Sequence, residues 1–352
     1  MRVAFVSMWT AQLRETGATR RLRRTAELLA DRGHDVHVCC SQWWDGHLTA
    51  FEQEDVTYHA VTEGPAAGSF ASKVPFALRR VKPDVIQAVN TPPSQVRAAS
   101  IAGTFLRTPV VADWWCDDPD FDGDAYDRAA RVPDGVITPS RYVKTRVREH
   151  GGDEGSIRVI PESIDCSLVR DAPVDARADV VYARELDEHA NVESLLLALA
   201  ELRGRDWRAA VVGDGPERAT AEQVARDLRI DDRVEFVGDV ETAELVSILK
   251  GAHVYAQTAT REPFATGLLW ALAAGCIGLV EYQADSSGHE LVEGRDRGEL
   301  VTDPQELADA IVAAAGEERL SYDDAFEPFD HRAVLEEYLD CYRSLMDDYG
   351  LL

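Results

Sequence analysis

Residues 261–279 read REPFATGLLWALAAGCIGL, and the order of chemistry in that stretch decides the class of fold. Glu262 opens a short loop, Pro263-Phe264-Ala265-Thr266-Gly267, and an Ala/Leu-rich helix follows at once. The helix stops at Gly275, where a left-handed residue commonly ends a helix, and an apolar strand, Ile277 to Val280, begins. A loop that feeds a helix N-terminus leaves backbone N–H groups without intrahelical partners, and the positive end of the helix dipole adds to their pull on an anion. A carboxylate just before the loop can accept hydrogen bonds from hydroxyls next to a phosphate held there. Phosphate with hydroxyls points to a sugar nucleotide. The plain alternative is a structural loop-to-helix turn, common in α/β proteins.

Alternation of strand and helix extends on both sides of this stretch. Apolar strands at Arg2–Ser7, Val36–Cys40, Val56–Val61, Asp84–Ala88 and Pro109–Asp113 are interleaved with helices at Ala18–Arg32, Phe70–Val81 and Ser94–Leu106. A second series starts at Asp179–Ala183 and runs through Val192–Leu202, Ala209–Val212, Pro216–Leu228, Val234–Val237 and Thr242–Lys250. Such spacing implies parallel sheets with right-handed crossovers, here twice. At 352 residues the chain exceeds the usual size of a single core. The break falls near Asp165–Asp175, in DCSLVRDAPVD. We expect an α/β protein with two doubly wound, Rossmann-like domains, 1–165 and 166–325. Residues 326–352 should form a C-terminal helix that packs back on the first domain. Ligands in such sheets bind at the strand C-termini.

Composition narrows the setting. The chain has 63 acidic and 37 basic residues, a formal charge of −26, and only four of the basic residues are lysines. An acidic surface that avoids lysine fits a protein kept soluble at high salt, and we read a halophile's cytoplasmic protein, plausibly archaeal. Residues 1–165 carry 20 basic and 23 acidic residues against 17 and 40 in the rest, so net charge falls from −3 to −23. Six cysteines show no metal-ligand spacing and read as reduced, mostly buried hydrophobes. No apolar run reaches eighteen residues, and the N-terminus lacks the apolar core of a signal peptide.

Five segments in order resemble glycosyltransferase family 4. Besides Glu262, Phe264, Gly267, Ala271, Ala273 and Gly275, they are VVGDGPE (Val211–Glu217), RIDDRVEFVGDV (Arg229–Val240), VIPESID (Val159–Asp165) and Ile137-Thr138-Pro139-Ser140. ARELDEHANVESLLLAL (Ala183–Leu199) resembles the segment that carries the family's diphosphate-binding Arg and Lys. The resemblance implies the GT-B fold, with its two domains facing across a cleft, and a retaining transfer from a nucleotide-sugar donor without a metal ion or other cofactor. It also implies the roles of residues. Arg184 and the N–H groups around Ala265, Thr266 and Gly267 would hold the diphosphate, Gly213 would line the turn beside them, Glu262 would orient the sugar, and Glu290 would join the donor site. Three positions depart from the pattern: Ala265 stands where the family prefers Gly, Ala190 at its Lys and Trp270 at its second Glu. Trp270 either packs against the ribose or base or fills core space.

The first domain supplies the acceptor side. Gly17 and Ala18 stand where the family has a Gly-rich turn, and Arg20 follows with Arg21, Arg23 and Arg24. Asp113 stands near the position of a family His that contacts the donor sugar, which makes it a second catalytic candidate. Asp118, Asp120, Asp122 and Gly123 open like a calcium loop, but Ala129 holds the twelfth position, and we read a solvated loop and no metal. A second basic group, Lys73, Arg79, Arg80 and Lys82, lies beside Phe70, Val74, Phe76 and Leu78. Basic plus apolar suits peripheral contact with a membrane surface or a lipid-phosphate acceptor. Nothing suggests nucleic acid. The resulting expectation is a glycosyltransferase acting on a glycan or lipid-linked acceptor at the cytoplasmic face. A non-catalytic GT-B binding subunit and a GT-B sugar-nucleotide epimerase remain as alternatives.

Overall fold

The computed structural model describes residues 1–350. Its contacts divide into two units, Met1–Glu162 with the C-terminal segment from Arg332, and Ser163–His331.

The first unit is built on β1 (Arg2–Val6), α1 (Gly17–Asp31), β2 (Asp35–Ser41), β3 (Ala50–Gln53), β4 (Val56–Thr62), α2 (Ala67–Val81), β5 (Val85–Val89) and α3 (Pro93–Leu106). It continues through β6 (Val110–Asp113), α4 (Gly123–Ala130), β7 (Gly135–Thr138), α5 (Arg141–Glu149) and β8 (Ile157–Val159). The sheet runs β3-β4-β2-β1-β5-β6-β7-β8 and is parallel except for the β3–β4 pair. Period-2 alternation splits the strand residues between two cores. Ala4, Val6, Ile86 and Ala88 join α2 to α5 on one face. Val3, Phe5, Val36 and Val38 join α1 and the C-terminal helix on the other.

The second unit comprises α6 (Cys166–Asp171), β9 (Val180–Ala183), α7 (Val192–Glu201), β10 (Ala209–Val212), α8 (Arg218–Asp227), β11 (Val234–Gly238), α9 (Thr242–Gly251) and β12 (Val254–Gln257). Then follow β13 (Arg261–Glu262), α10 (Thr266–Ala273), β14 (Ile277–Glu281), β15 (Asp285–Ser286), α11 (Gly288–Val292), β16 (Gly298–Val301) and α12 (Pro304–Ala314). Its six-stranded sheet is wholly parallel in the order β11-β10-β9-β12-β14-β16. That is the doubly wound order with its reversal between β9 and β12, where a ligand is expected beyond the strand ends.

The last helix, α13 (His331–Asp348), belongs almost entirely to the first unit. The boundaries fall at 162/163 and 331/332 rather than at 165/166 and 325/326. Physically, the returning segment stays with the second unit until Asp330: Ile164 N–H donates to Phe329 O, His331 N–H to Ile164 O, and Phe326 is buried.

The hairpin strand β3 was not expected from sequence. Its turn is Glu54-Asp55, both at positive φ (51° and 55°), where Asn-Gly or Asp-Gly is the usual signal.

Candidate functional site

At the switch point of the second unit, β9 ends in Ala183 and delivers Arg184. The Arg184 guanidinium donates from Nη1 to His189 O (3.1 Å) and from Nη2 to Asp187 Oδ2 (3.1 Å). Its Nε lies 3.7 Å from Glu262 Oε2, and only 15% of the Arg184 side chain is exposed. Burial works against the charge, but Glu262 and the surrounding groups outweigh it and raise the Arg184 pKa. Arg184 and Glu262, 78 residues apart in sequence, are thus brought together as a mostly buried pair.

The surrounding backbone closes tightly on this pair. Gly213, at φ +120°, lets the β10 turn run against Arg184, whose carbonyl oxygen a Cβ would strike. Gly267 is pressed between Tyr255 and the Ala183 carbonyl, with no room for a Cβ. Tyr255 OH donates to that same carbonyl at 2.8 Å. Glu262 sits on β13, which pairs with β15, and its carbonyl receives Ser287 N–H at 2.8 Å. Ala265 precedes α10 and no side chain caps the helix; Thr266 N–H donates to Phe264 O (3.0 Å), so the free backbone donors of this end begin at Gly267.

Beside Glu262 lie two polar groups that sequence reading did not single out. Gln257 Nε2 and Ser287 Oγ are buried and lack a hydrogen-bond partner among the described residues. Each residue is 2% exposed, and Gln257 Cγ comes within 3.2 Å of where a Gly288 Cβ would stand. Buried polar atoms normally find partners, so these two groups are candidates to bond a hydroxyl-bearing ligand. No sequence signal marks them: a Gln at a strand end and a Ser before a short helix are common.

The remaining donor-side residues fall nearby with different degrees of access. Glu290 lies in the first turn of α11 and is half-buried. Trp270 is 5% exposed, so little of its ring is open to a ribose. Ala190, at the family's Lys position, is 1% exposed and its carbonyl accepts the Tyr182 hydroxyl at 2.6 Å. A long cation has no room there.

In the first unit the structure corrects several expectations. Asp113 is 4% exposed, with Oδ1 receiving Arg21 Nε (3.1 Å) and Oδ2 receiving Gln87 Nε2 (2.9 Å). Both oxygens are therefore spent inside the unit, and Asp113 serves a packing network rather than a sugar. Burial raises its pKa against the opposing pull of Arg21, and Glu162 adds to the rise. Arg21 is itself buried, donating also to Glu162 Oε1 (2.9 Å) and to the carbonyls of Ile160 and Pro161, with its guanidinium over the Tyr338 ring. Arg24 donates to the other Glu162 oxygen at 2.7 Å. Two of the four arginines of α1 thus face inward, because Glu162 and Asp113 supply carboxylates that lie 92 or more residues away in sequence. Arg20 stays exposed beside Glu15.

Gly17 is the first residue of α1, capped by Thr16 and packed against Trp115, and Ala18 follows in the same turn. Phe70, Val74 and Leu78 belong to the core, and of the apolar residues assigned to lipid contact only Phe76 is exposed. The acidic run is a loop, as its reading required. Asp118 accepts Asp120 N–H, and Asp122, the N-cap of α4, accepts Asp124 N–H. No helix among the described residues is long and apolar enough to cross a membrane.

Comparison with known proteins agrees with this geometry. Residues 16–168 match the family described as "Glycosyltransferase Family 4" and residues 171–321 the family described as "Glycosyl transferases group 1". The fold is shared with HepE of Anabaena in complex with UDP (TM-score 0.79, 22% identity, 98% of this chain and 100% of that one). It is also shared with sucrose-phosphate synthase of Thermosynechococcus elongatus (TM-score 0.70, 18% identity, 99% and 97%). The architecture is that of the GT-B fold. The first half of the chain is thus similar to the family 4 model and the second half to the group 1 model.

Among relatives, a GDP-mannose-dependent alpha-(1-6)-phosphatidylinositol monomannoside mannosyltransferase of Mycolicibacterium smegmatis is 28% identical over 213 residues, 54% of each chain. Alpha-monoglucosyldiacylglycerol synthase of Streptococcus pneumoniae is 25% identical over 233 residues, 59% of this chain and 52% of the relative. The chain spans about half the length of the curated relatives it matches.

Proposed function

We propose that this protein transfers a hexose from a nucleotide-sugar donor to a lipid-linked or glycan acceptor, with retention of configuration. The observation that carries the reading is the Arg184–Glu262 pair at the switch point, with the orphaned Gln257 and Ser287 groups beside it. In this reading Arg184 and the amides at the start of α10 take the charge of the departing diphosphate, so the proposal assigns no role to a metal ion. The diphosphate competes with Asp187 for the guanidinium. Glu262, Gln257 and Ser287 bond the sugar hydroxyls. The bond from the anomeric carbon to the diphosphate oxygen breaks with its electron pair going to the diphosphate. The acceptor oxygen bonds to that carbon from the same face and yields its proton to the leaving group. The names of the mycobacterial and streptococcal relatives, which include phosphatidylinositol and diacylglycerol, favour a lipid acceptor. Contact of the first unit with the cytoplasmic membrane face, in a halophile's cell, is part of this reading.

The test is transfer from a panel of UDP-, GDP- and ADP-hexoses into the lipid fraction of a cell extract in molar salt, read by mass spectrometry. Glu262→Ala serves as control. Transfer lost in that variant supports the proposal. A second reading, a binding subunit without catalysis, draws on the absence of charged side chains at Ala190 and Trp270. Nucleotide binding without transfer to any acceptor or water would select it.

A further inference from the structure

Along α2 and α3 positive charge gathers with almost no carboxylate in the same segment. Residues 67–107 contain Lys73, Arg79, Arg80, Lys82, Arg97 and Arg107 against a single acid, Asp84, which accepts the backbone N–H of Arg2. All six basic side chains are exposed, and among the described residues none of them makes an ion pair. With 63 acids available in the chain, that separation is a property of the surface and not a shortage of partners.

Large apolar side chains project from the same two helices. Phe105 is 84% exposed, Phe76 67% and Ile101 53%. Arg97, Ile101 and Phe105 are four residues apart, so they form one stripe along α3. Lys73, Phe76 and Arg80 repeat the arrangement on α2 at spacings of three and four. The inward faces, Phe70, Val74 and Leu78 on α2 and Val96, Ala99 and Ala102 on α3, are buried in the core. Both crossovers, β4 to β5 and β5 to β6, step in the same direction along the sheet. Right-handed connections therefore place α2 and α3 side by side on one face, where they pack together.

We propose that this α2–α3 face docks on an anionic lipid bilayer, with Phe76, Ile101 and Phe105 inserted among the headgroups and the basic residues pairing with lipid phosphates. The proposal rests on the reading of a lipid-linked acceptor, and it names the surface that would bring the protein to it. Aromatic and aliphatic tips ringed by cations match an interface that is apolar beneath and negative above. At molar salt the screening length is about 3 Å, so the apolar insertion must carry most of the affinity there.

Flotation with phosphatidylglycerol/phosphatidylcholine vesicles tests this, at about 0.2 M and at molar KCl, against pure phosphatidylcholine vesicles. Binding of UDP and GDP is measured by calorimetry on the same samples. Wild type should float with the anionic vesicles at both salts. Phe76→Ser/Phe105→Ser should lose roughly tenfold or more of its binding at either salt, since each ring represents several buried CH2 equivalents. Arg79→Glu/Arg80→Glu should lose binding chiefly at low salt. Both pairs are exposed on helix surfaces, so nucleotide binding should be unchanged. Wild type that binds nucleotide but stays with neither vesicle overturns the docking and leaves the function standing. Flotation without any nucleotide binding does the reverse. If light scattering shows that the Phe variants instead break up an oligomer while wild type does not float, a second copy covers the face and the proposal is wrong.

Discussion

In the proposed function, Arg184 is the residue on which donor binding turns. It is held by Asp187 and His189 and faces Glu262, so its guanidinium is oriented before any ligand arrives. Replacing it with alanine removes a charge-assisted contact of about 1.5–3 kcal/mol, and affinity for a nucleoside diphosphate should fall by that amount in calorimetry. Unchanged affinity would remove Arg184 from the site. Arg21 presents the opposite case, a charge wholly inside the fold. Arg21→Met would leave Asp113 buried without its cation and Glu162 with Arg24 alone, and denaturant titration should show a loss of about 3–5 kcal/mol. Both arginines stand in a sequence rich in arginine, and nothing in their local spacing separates a ligand-side cation from a structural one. Arg184 could be singled out from sequence because the turn around it resembles a known pattern, and the structure places it against Glu262. Arg21 was not, because its partners arrive from residues 113 and 162 only when the sheet has formed.

His150 and the acidic loop show the same principle at the scale of an element. His150 caps α5 and is bonded through Nδ1 to Asp127 (2.7 Å) and through Nε2 to Asp117 (2.9 Å), with Arg146 also 3.6 Å from Asp117. Two carboxylates accept only, so both ring nitrogens must donate and the imidazolium is the form that fits. Burial opposes the charge, but the hydrogen bonds His150 donates to Asp117 and Asp127 outweigh it and raise the His150 pKa. A raised folded pKa gives stability that is complete below the unfolded value of about 6.5 and is lost as pH rises through the folded one. Hydrogen exchange in residues 114–122 should therefore quicken between pH 6 and pH 9, and His150→Gln should abolish that dependence. The elements themselves were read well where periodicity was strong, as in β1, β5 and α7. The β3–β4 hairpin was missed because its turn is built from Glu54 and Asp55, residues that seldom announce a positive φ. The lipid-facing assignment of Phe70 and Leu78 failed for a related reason. Composition located the basic and apolar helix, but only packing decides which apolar residues point inward.

At the scale of the molecule, charge separates the two units. The first holds 22 basic and 27 acidic residues, a net of −5, and the second, residues 163–331, holds 15 and 36, a net of −21. Self-repulsion in the second unit is suppressed in molar salt and grows as the screening length lengthens to about 10 Å at 0.1 M. Thermal scans on dilution from molar salt should show the second unit melting at progressively lower temperature, while the first shifts less. Equal shifts in both units would mean that the charge asymmetry carries no stability consequence.

The central claim is that the sugar nucleotide sits on the second unit at the Arg184–Glu262 end of its sheet. Hydrogen exchange with and without a saturating nucleotide hexose, in molar salt, tests it directly. The account predicts slowed exchange in residues 184–191, 211–216 and 262–268. Protection confined to the first unit, or none with any member of a UDP-, GDP- and ADP-hexose panel, would contradict it.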